Sequence, residues 1–292
     1  MTRRSHRWVN ALFLAPVLIA FIMVMVIPFF LGIYYSMTDF NGVKSELTFV
    51  GLKNYQFMFQ DPLFLHSFMV TVEYTVINVI LVNVVAFALS LMVTGNLKGR
   101  NFLRAGFFVP NLIGGIVLGY IWQILINCVL SIWGQQLLAL NTTAGYWGLV
   151  ILTLWQQVGY MMIIYIAGFQ AVSEDMLEAA HIDGATRWQS LWHITIPNMM
   201  PSITICTFLT LTNSFKLFDQ NLALTEGRPF NQLPDGSVVR TTEMLALNIV
   251  NSFSANVTNR GVGQAKAVLF CILVVGIGLF QLRATRSKEV QQ

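Results

Sequence analysis

Long uncharged runs dominate the hydrophobic pattern of this 292-residue chain. A helix needs about 20 mostly apolar residues to cross the hydrocarbon core of a bilayer, and several runs reach that length. Between Arg104 and Glu174 the sequence contains no Asp, Glu, Lys or Arg. At about 1.5 Å per residue this stretch is too long for one crossing, so it must fold back at the polar, turn-prone segment Asn127–Gly145. The pattern therefore predicts six spanning helices, at Val9–Tyr35, Ser67–Thr94, Phe102–Ile126, Tyr146–Gln170, Met200–Leu224 and Gly261–Leu282.

The composition supports a membrane protein and excludes several other classes. Hydrophobic residues make up 55% of the chain and charged residues only 10%, with a mean hydropathy of +0.65, which excludes a soluble domain and a disordered chain. Three cysteines in apolar stretches, Cys128, Cys206 and Cys271, do not make a disulfide scaffold. The net charge of +4 follows from basic residues at the membrane edges, so we expect lipid contacts and no nucleic-acid partner.

The distribution of basic residues predicts which helix ends face the cytoplasm, because Lys and Arg are retained on that side. They cluster before the first span, after the second and behind the sixth, so both termini are expected in the cytoplasm. The first run is too long for a cleaved signal peptide and no A-x-A site follows it, which predicts a retained anchor. The basic residues that support this topology are Arg3, Arg4, Arg7, Lys98, Arg100, Arg104, Arg283, Arg286 and Lys288.

One loop on the cytoplasmic side, residues 171–200, is acidic and departs from this trend; we call it the acidic loop. Its first part predicts a short helix that Ser173 caps and that ends at Asp183-Gly184. Thr186 and Gln189 fit a capping box for a second helix, and Pro197 is expected to stop that helix before the fifth span.

Two interpretations of the acidic loop follow from physical chemistry alone, and they carry about equal weight. A rigid, small and anionic helix pair is suited to docking on another protein. Alternatively, the second helix is an interfacial amphipathic helix whose Leu191, Trp192 and Ile196 lie among lipid headgroups.

The acidic loop also carries a family signature. Glu178-Ala-Ala-His-Ile-Asp-Gly-Ala185, followed by Ile194-Thr-Ile-Pro197 and Pro201, resembles the EAA loop of membrane subunits of binding-protein-dependent ABC importers. Further segments are similar to the carbohydrate-uptake branch of that family, the relatives of maltose and glycerol-phosphate permeases. They are Phe49–Tyr55, Asp61–Phe64, Phe218-Asp219, Leu224–Gly227 with Pro229, and Thr242–Ala246. The chain departs from the branch at Arg228, where a second Gly is usual, and in an inserted outer loop at 231–240.

The resemblance implies an all-α membrane protein with six transmembrane helices and the type I ABC importer permease fold. It divides the chain into residues 1–66 with the first span, a permease core at 67–283 and a cytoplasmic tail at 284–292. It implies a second permease subunit, as a heterodimer, two copies of a cytoplasmic ATPase and an extracytoplasmic solute-binding protein. The residues that it assigns to ATPase coupling are Glu178, Ala179, Ala180, Asp183, Gly184, Ala185, Ile194 and Pro197.

The sequence contains no motif for catalysis of its own. There is no GxxxxGK[ST] phosphate loop, so ATP and its Mg²⁺ are expected on a separate chain. HExxH and GxSxG motifs are also missing, and His181 and His193 lie too far apart in sequence to indicate a metal site. We therefore expect a transport subunit without a cofactor of its own rather than an enzyme.

The fifth predicted span carries a polar stripe, which is costly in lipid and indicates a wet interior. Its members recur every three or four residues and so share one helical face, and Asp219 is expected to pair with Lys216. Amide and hydroxyl groups would suit a hydroxyl-rich substrate, and Phe208, Phe215 and Phe218 could stack on sugar rings. The alternative is local, because Thr often bonds the carbonyl one turn back and Lys216 and Asp219 can mark a helix end. The stripe is Thr204, Thr207, Thr210, Asn213, Lys216 and Gln220, and the predicted substrate path is Thr207, Asn213, Lys216, Asp219 and Gln220.

The predicted function is therefore that of the permease subunit of an ATP-driven carbohydrate importer in a bacterial or archaeal cytoplasmic membrane. An ion-coupled secondary transporter of a polar solute is the main alternative. Such carriers tend to place ionisable residues or broken helices at the midplane and often contain internal repeats, whereas in this sequence midspan acids are missing and no repeat is found. A third class is a membrane scaffold that only anchors an ATPase.

Overall fold

The computed structural model describes residues 3–43, 46–95, 99–234, 236–255 and 260–286. Lys98 and Lys288, on which the predicted topology partly rests, lie outside these residues. Helices predominate in the described part of the chain, as the sequence predicts. They are α1 (Arg3–Phe21), α2 (Ile27–Ser36), α3 (Lys53–Gln60), α4 (Pro62–Thr94), α5 (Arg100–Phe108), α6 (Gly115–Ile132), α7 (Thr142–Gln170), α8 (Glu174–Ile182), α9 (Arg187–Ser190), α10 (Ile196–Asn198), α11 (Met200–Phe215), α12 (Asp219–Leu224), α13 (Leu245–Ala255) and α14 (Arg260–Arg286).

Five helices among the described residues are long and apolar enough to cross a membrane. A sixth span results if the bent pair Arg187–Asn198 and Met200–Phe215, with 69° between its halves, counts as one crossing. The five are Leu12–Ser36, Pro62–Thr94, Gly115–Ile132, Thr142–Gln170 and Arg260–Gln281. The prediction of a multi-span helical protein is thus confirmed, although several boundaries differ.

The predicted third span, Phe102–Ile126, is wrong as a single helix. The chain forms α5 first, then a 3-10 turn at Val109–Leu112 that contains Pro110, and only then α6. Proline removes a backbone donor and breaks the helix here. The backbone of α5 also lies against α7, since a Cβ on Gly159 would come within 1.8 Å of the carbonyl oxygen of Phe107. The loop between α6 and α7 is shorter than predicted, because α6 continues to Ile132.

The predicted fifth span, Met200–Leu224, is also wrong as a continuous helix. Its first part, α11, is only 16 residues long and ends at Phe215. The chain leaves the helical conformation at Lys216, and α12 begins at Asp219, directly after Phe218. The turn buries Leu217 in the same apolar cluster as Tyr74 and Leu224, which compensates for the lost helical hydrogen bonds.

The chain forms two compact units, and the first comprises Met1–Asp61 and Ile249–Ile272. In this unit Asn54 donates hydrogen bonds of 2.8 Å to the carbonyl oxygens of Ser36 and Thr38. Lys266, a charge within the predicted sixth span, is only 3% exposed, and its Nζ lies 2.7 Å from a carboxylate oxygen of Asp61 and 2.9 Å from the hydroxyl of Ser252. A buried charge needs such partners, so this span tolerates its lysine.

The second unit comprises Pro62–Asn248 and Leu273–Gln292 and is built around α4, α7 and α11. One apolar cluster includes Val82, Met161 and Cys206, and a second includes Tyr74 and Leu149. The same three helices are also joined by buried polar contacts, which run from the hydroxyl of Tyr74 through Thr153 and Asn78 to Ser214. In a lipid environment, hydrogen bonds of this kind between helices help to fix how the helices are oriented against one another.

The inserted outer loop at 231–240 contains strands, which the sequence does not predict. β1 (Phe230–Gln232) and β2 (Val238–Arg240) pair antiparallel, with Asn231 opposite Val239. The hairpin is small and mostly exposed, so it leaves the all-α class unchanged.

Candidate functional site

The acidic loop folds as the sequence predicts, into two short helices joined by a tight turn. α8 begins at Glu174 and ends at Ile182, and Gly184 follows with a φ of +82°, a left-handed conformation that favours glycine. The amide of Ala185 returns to the carbonyl oxygen of Ala180 at 2.9 Å and closes the turn. The capping box on the second helix is confirmed, because Thr186 and Gln189 exchange both of the expected hydrogen bonds.

Two details of this loop are predicted wrongly. Ser173 occupies the position before α8 but makes no capping hydrogen bond through its side chain. Pro197 does not stop the second helix, which continues to Asn198. A π-helical turn at Leu191–Thr195 precedes the proline, and this wider turn accommodates a residue that cannot donate a backbone hydrogen bond.

The loop presents an anionic, exposed surface at the end of α7. Glu178 and Asp183 are exposed, and neither forms an ion pair with another residue that the structure describes. Ala180 is buried beneath this surface. Ile194 packs against the apolar cluster that contains Met161. The loop is thus tied to the helix bundle while Glu178 and Asp183 stay exposed. The remaining residues assigned to it are Ala179 and Gly184, which are exposed, and Ala185 and Pro197, which are half-buried.

The second helix of the acidic loop has the exposed aromatic side chains that the interfacial interpretation requires. Trp188 and Trp192 are 66% and 53% exposed and meet edge to face, with ring centroids 5.8 Å apart. Leu191 and Ile196 are half-buried. Since the acidic side chains belong to α8 and the turn, the two interpretations concern different parts of the loop.

A polar recess of about 410 Å³ lies in the same unit, at the end of α11. Four of the five residues of the predicted substrate path line it: Asn213, Lys216, Asp219 and Gln220. The residues that complete it come from the α5–α6 connection, from α7 and from the break after α11. They are Asn111, Gln156, Gln157, Leu217 and Phe218.

The two glutamines of α7 are the part of the recess that the sequence reasoning missed. The amide Nε2 of Gln220 donates to Oε1 of Gln156 at 2.7 Å, and Gln156 in turn donates to the carbonyl oxygen of Ile113 at 3.1 Å. Gln157 is 7% exposed, and its Oε1 has no hydrogen-bond partner among the described residues. The sequence does contain a signal for these two residues, since they are adjacent amides within a 29-residue, mostly apolar helix. Polar side chains are costly inside a membrane helix, so such a pair indicates a polar surface.

The recess lies at the level of the middle of α7. Gln156 is the central residue of α7, about 21 Å along the helix from either end. The acidic loop follows the last residue of α7, Gln170. The recess and the start of the acidic loop are therefore separated by about half the length of α7.

The threonines of the predicted stripe, Thr204, Thr207 and Thr210, do not line the recess. Thr204 and Thr210 are buried, and Thr210 donates back to the carbonyl oxygen of Cys206 at 2.7 Å, which is the local alternative. Thr207 is half-buried and does not line the recess.

The predicted pairing of Lys216 with Asp219 is wrong, since no such ion pair exists among the described residues. Breaking the helix between them separates the two charges. Of the three aromatic residues, Phe218 lines the recess, whereas Phe215 is buried and Phe208 lies beside Gly278.

One wall of the recess depends on a close approach between α12 and α6. A Cβ on Gly115 would lie 2.8 Å from Cβ of Asp219, and one on Gly119 would lie 2.6 Å from Cβ of Ala223. The small-residue pair in α6 thus packs against a helix of the same chain. No group of three or more His, Cys, Asp or Glu side chains that could hold a metal occurs in the described part of the structure.

The family model for the inner membrane component of binding-protein-dependent transport systems matches residues 3–283. The chain belongs to this family. A relative from Thermoanaerobacterium thermosulfurigenes, the probable starch degradation products transport system permease protein AmyD, is 42% identical over 96% of this chain and 94% of its own. The multiple sugar-binding transport system permease protein MsmF of Streptococcus mutans is 29% identical over 90% of each chain.

Solved structures agree with the family membership at the level of the fold. A chain of a bacterial ABC transporter involved in the import of the acidic polysaccharide alginate aligns with a TM-score of 0.78 over 97% of this permease and 96% of that chain, at 19% identity. A second structure of an alginate transporter, in complex with a periplasmic protein that holds an alginate pentasaccharide, aligns with a TM-score of 0.77. This permease therefore has the type I ABC importer permease fold, and it is a multi-pass membrane protein.

Proposed function

We propose that this permease is one membrane subunit of an ATP-driven importer that carries a neutral oligosaccharide, of the kind released from starch, through the polar recess. The observation that carries the proposal is the recess itself, an amide-lined space at the level of the middle of α7 and in the same helix unit as the exposed acidic loop. The similarity to a starch-product permease over almost the whole chain supports the choice of substrate.

The side chains of the recess suit a sugar. Asn111, Gln156, Gln157 and Gln220 offer both donors and acceptors to hydroxyl groups, and the ring of Phe218 provides an apolar face. The charges of Lys216 and Asp219 sum to zero, so the recess does not select for an anion. A phosphorylated or acidic sugar would be expected to face more than one cation.

The acidic loop is proposed to couple transport to ATP hydrolysis on a separate chain. Glu178 and Asp183 are exposed on a rigid turn and would meet cationic groups of an ATPase, while Gly184 lets the turn insert into a narrow groove. ATP and Mg²⁺ would be bound by two copies of that ATPase. A second, different permease and an extracytoplasmic solute-binding protein would complete the importer, which agrees with the binding-protein-dependent family.

The proposed arrangement places the chain in a bacterial or archaeal cytoplasmic membrane, with both termini in the cytoplasm. Residues 67–283 form the permease core, and residues 1–66 supply the first span and an extracytoplasmic segment. The basic side chains that flank the spans support this orientation.

Gentle solubilisation and mass spectrometry of the co-purifying proteins test the proposal. We expect a protein with a phosphate loop to co-purify with the native chain and to be lost from a Glu178→Lys variant, because the reversed charge would repel a cationic groove. Glu174→Lys on the same helix is the matched control and should retain the ATPase. Recovery of the second permease with both variants would show that the membrane part is intact. Retention of the ATPase by Glu178→Lys, or its absence from the native sample, would contradict the proposed coupling contact.

A further inference from the structure

The short helix α12 lies between the polar recess and the base of the outer hairpin. Its first residues, Asp219 and Gln220, line the recess. At its other end the carbonyl oxygen of Leu224 accepts a hydrogen bond of 2.9 Å from Gln123 on α6. The chain then continues directly into the segment 225–244, which contains the hairpin and which we call the hairpin segment.

Asn221 joins α12 to both sides of the hairpin segment. Its side chain is fully buried. The amide Nδ2 donates to the carbonyl oxygen of Thr242 at 2.8 Å and to the hydroxyl of Thr225 at 3.2 Å. Its Oδ1 accepts the backbone N–H of Met244 at 3.0 Å. One side chain thus connects the residues that enter the hairpin with those that leave it.

A second set of hydrogen bonds makes this base rigid. The hydroxyl of Thr242 lies 2.8 Å from the carbonyl oxygen of Arg228 and 2.9 Å from the hydroxyl of Thr225, and its backbone N–H bonds to the carbonyl oxygen of Gly227. Gly227 has a φ of +79°, and a Cβ there would lie 2.9 Å from the side chain of Glu243. The hairpin segment therefore cannot shift at its base without breaking several buried contacts.

On its opposite side α12 rests against the glycines of α6, where no space remains for movement toward that helix. The contact between α12 and α6 combines this close approach with the hydrogen bond that Gln123 of α6 donates to the carbonyl oxygen of Leu224. Further directional contacts of α12 are the hydrogen bond from Gln220 to Gln156 on α7 and the hydrogen bonds of Asn221. Of these, the contacts of Asn221, the neighbour of Gln220, are the ones that hold α12 to the hairpin segment.

We propose that Asn221 is a positioning residue for the polar recess. By holding α12 to the base of the hairpin segment, it fixes the place where Gln220 meets Gln156 at the recess wall. A displacement of the hairpin segment would then reach the recess through one buried amide. This inference rests on the proposed function of the recess, and it adds a residue that does not line that recess.

The test uses the intact transporter complex in nanodiscs, with Asn221→Ala, Asn221→Asp and a matched control, Asn248→Ala. Asn248 is also a buried asparagine of this unit, and its amide donates to a carboxylate oxygen of Glu243 at 2.9 Å. Two quantities are measured: the maltotetraose concentration that half-saturates substrate-dependent ATP hydrolysis, and hydrogen exchange of the backbone amides at 219–226.

For Asn221→Ala we expect a rise of about tenfold in the half-saturating concentration, with the maximal rate changed less than about twofold. Exchange at 219–226 should accelerate by about tenfold or more, while exchange in α7 stays native. Asn221→Asp keeps an oxygen that accepts the backbone N–H of Met244. Both measured quantities should therefore lie between those of the native protein and those of Asn221→Ala. If Asn221→Ala does not accumulate, Asn221→Asp carries the comparison.

A purely structural role predicts a different result. Asn221→Ala would then lose abundance or maximal rate as Asn248→Ala does, with native half-saturation and native exchange in α12, and this would overturn the inference. A native complex that does not respond to maltotetraose would count against the proposed substrate. In that case exchange at 219–226, compared between the Asn221 variants and the Asn248 control, still decides the role of Asn221.

Discussion

At the residue scale, the amide of Gln157 provides a direct way to test whether the recess binds a polar molecule. Leaving a buried hydrogen-bonding atom without a partner costs about 1–3 kcal/mol. The Oε1 of Gln157 has no partner among the described residues, and Gln157 lines the recess. Under the proposed function, a substrate hydroxyl group would satisfy this oxygen and offset that cost.

Replacing Gln157 should separate binding from stability. We expect Gln157→Leu to raise the half-saturating oligosaccharide concentration by about tenfold, because it removes an acceptor from the recess. It should leave the melting temperature unchanged or raise it slightly, because a buried group without a partner is also removed. Concentration-dependent uptake and thermal unfolding measure the two effects.

Thr75→Val is the matched control for that substitution. Thr75 is 3% exposed, and its hydroxyl also has no partner among the described residues, but it does not line the recess. It should show the same effect on stability with native uptake. A native half-saturating concentration in Gln157→Leu would remove this glutamine from the binding surface.

Single residues also show where sequence reasoning succeeds and where it fails. Asn213, Lys216, Asp219 and Gln220 line one recess, but they do not share the single helical face that their spacing predicts, because the helix is broken between Phe215 and Asp219. Gln157 could be noticed but not placed, because its position in the recess wall depends on how α7 packs. The pairing of Lys216 with Asp219 failed because it assumed a continuous helix.

At the element scale, the coupling turn and the broken helices differ in how far local sequence determines them. The capping box at Thr186 and the glycine at position 184 specify the acidic loop from within a dozen residues, and both predictions are confirmed. The breaks after α5 and after α11 coincide with Pro110 and with burial of Leu217, and α5 packs against α7. Hydrophobicity alone could not reveal them, because each break lies inside a long run that is hydrophobic on average.

The turn of the acidic loop can be tested without adding bulk or charge. Gly184 has a φ of +82° and nothing within 4 Å of the place where a Cβ would lie. Gly184→Ala therefore acts through backbone strain, at a cost of about 1–2 kcal/mol. We expect it to lower substrate-dependent ATP hydrolysis by about five- to tenfold, measured with the purified complex.

Gly134→Ala provides the corresponding control in the loop between α6 and α7. Gly134 also has a left-handed conformation, with a φ of +65°, and nothing within 4 Å. It should incur a similar strain and retain native ATP hydrolysis. Equal losses in both variants would mean that strain anywhere in the chain, and not the coupling turn, causes the defect.

At the scale of the whole molecule, membrane insertion follows from composition and from the spacing of charges. Six apolar segments with basic flanks indicate a multi-span membrane protein, whereas the family signature of the acidic loop comes from its specific residues. The choice of sugar does not follow from those features. It depends on the three-dimensional surface of the recess and, in the proposed complex, on the binding protein that delivers the substrate.

The most direct test of the central claim is uptake by proteoliposomes that contain the whole complex. The vesicles are loaded with ATP and Mg²⁺, and labelled maltotetraose is added outside together with the co-purified binding protein. We expect uptake that requires internal ATP and the binding protein and that continues when ionophores collapse all ion gradients. Uptake that proceeds without ATP and follows an imposed proton or sodium gradient would contradict the account and identify an ion-coupled secondary transporter.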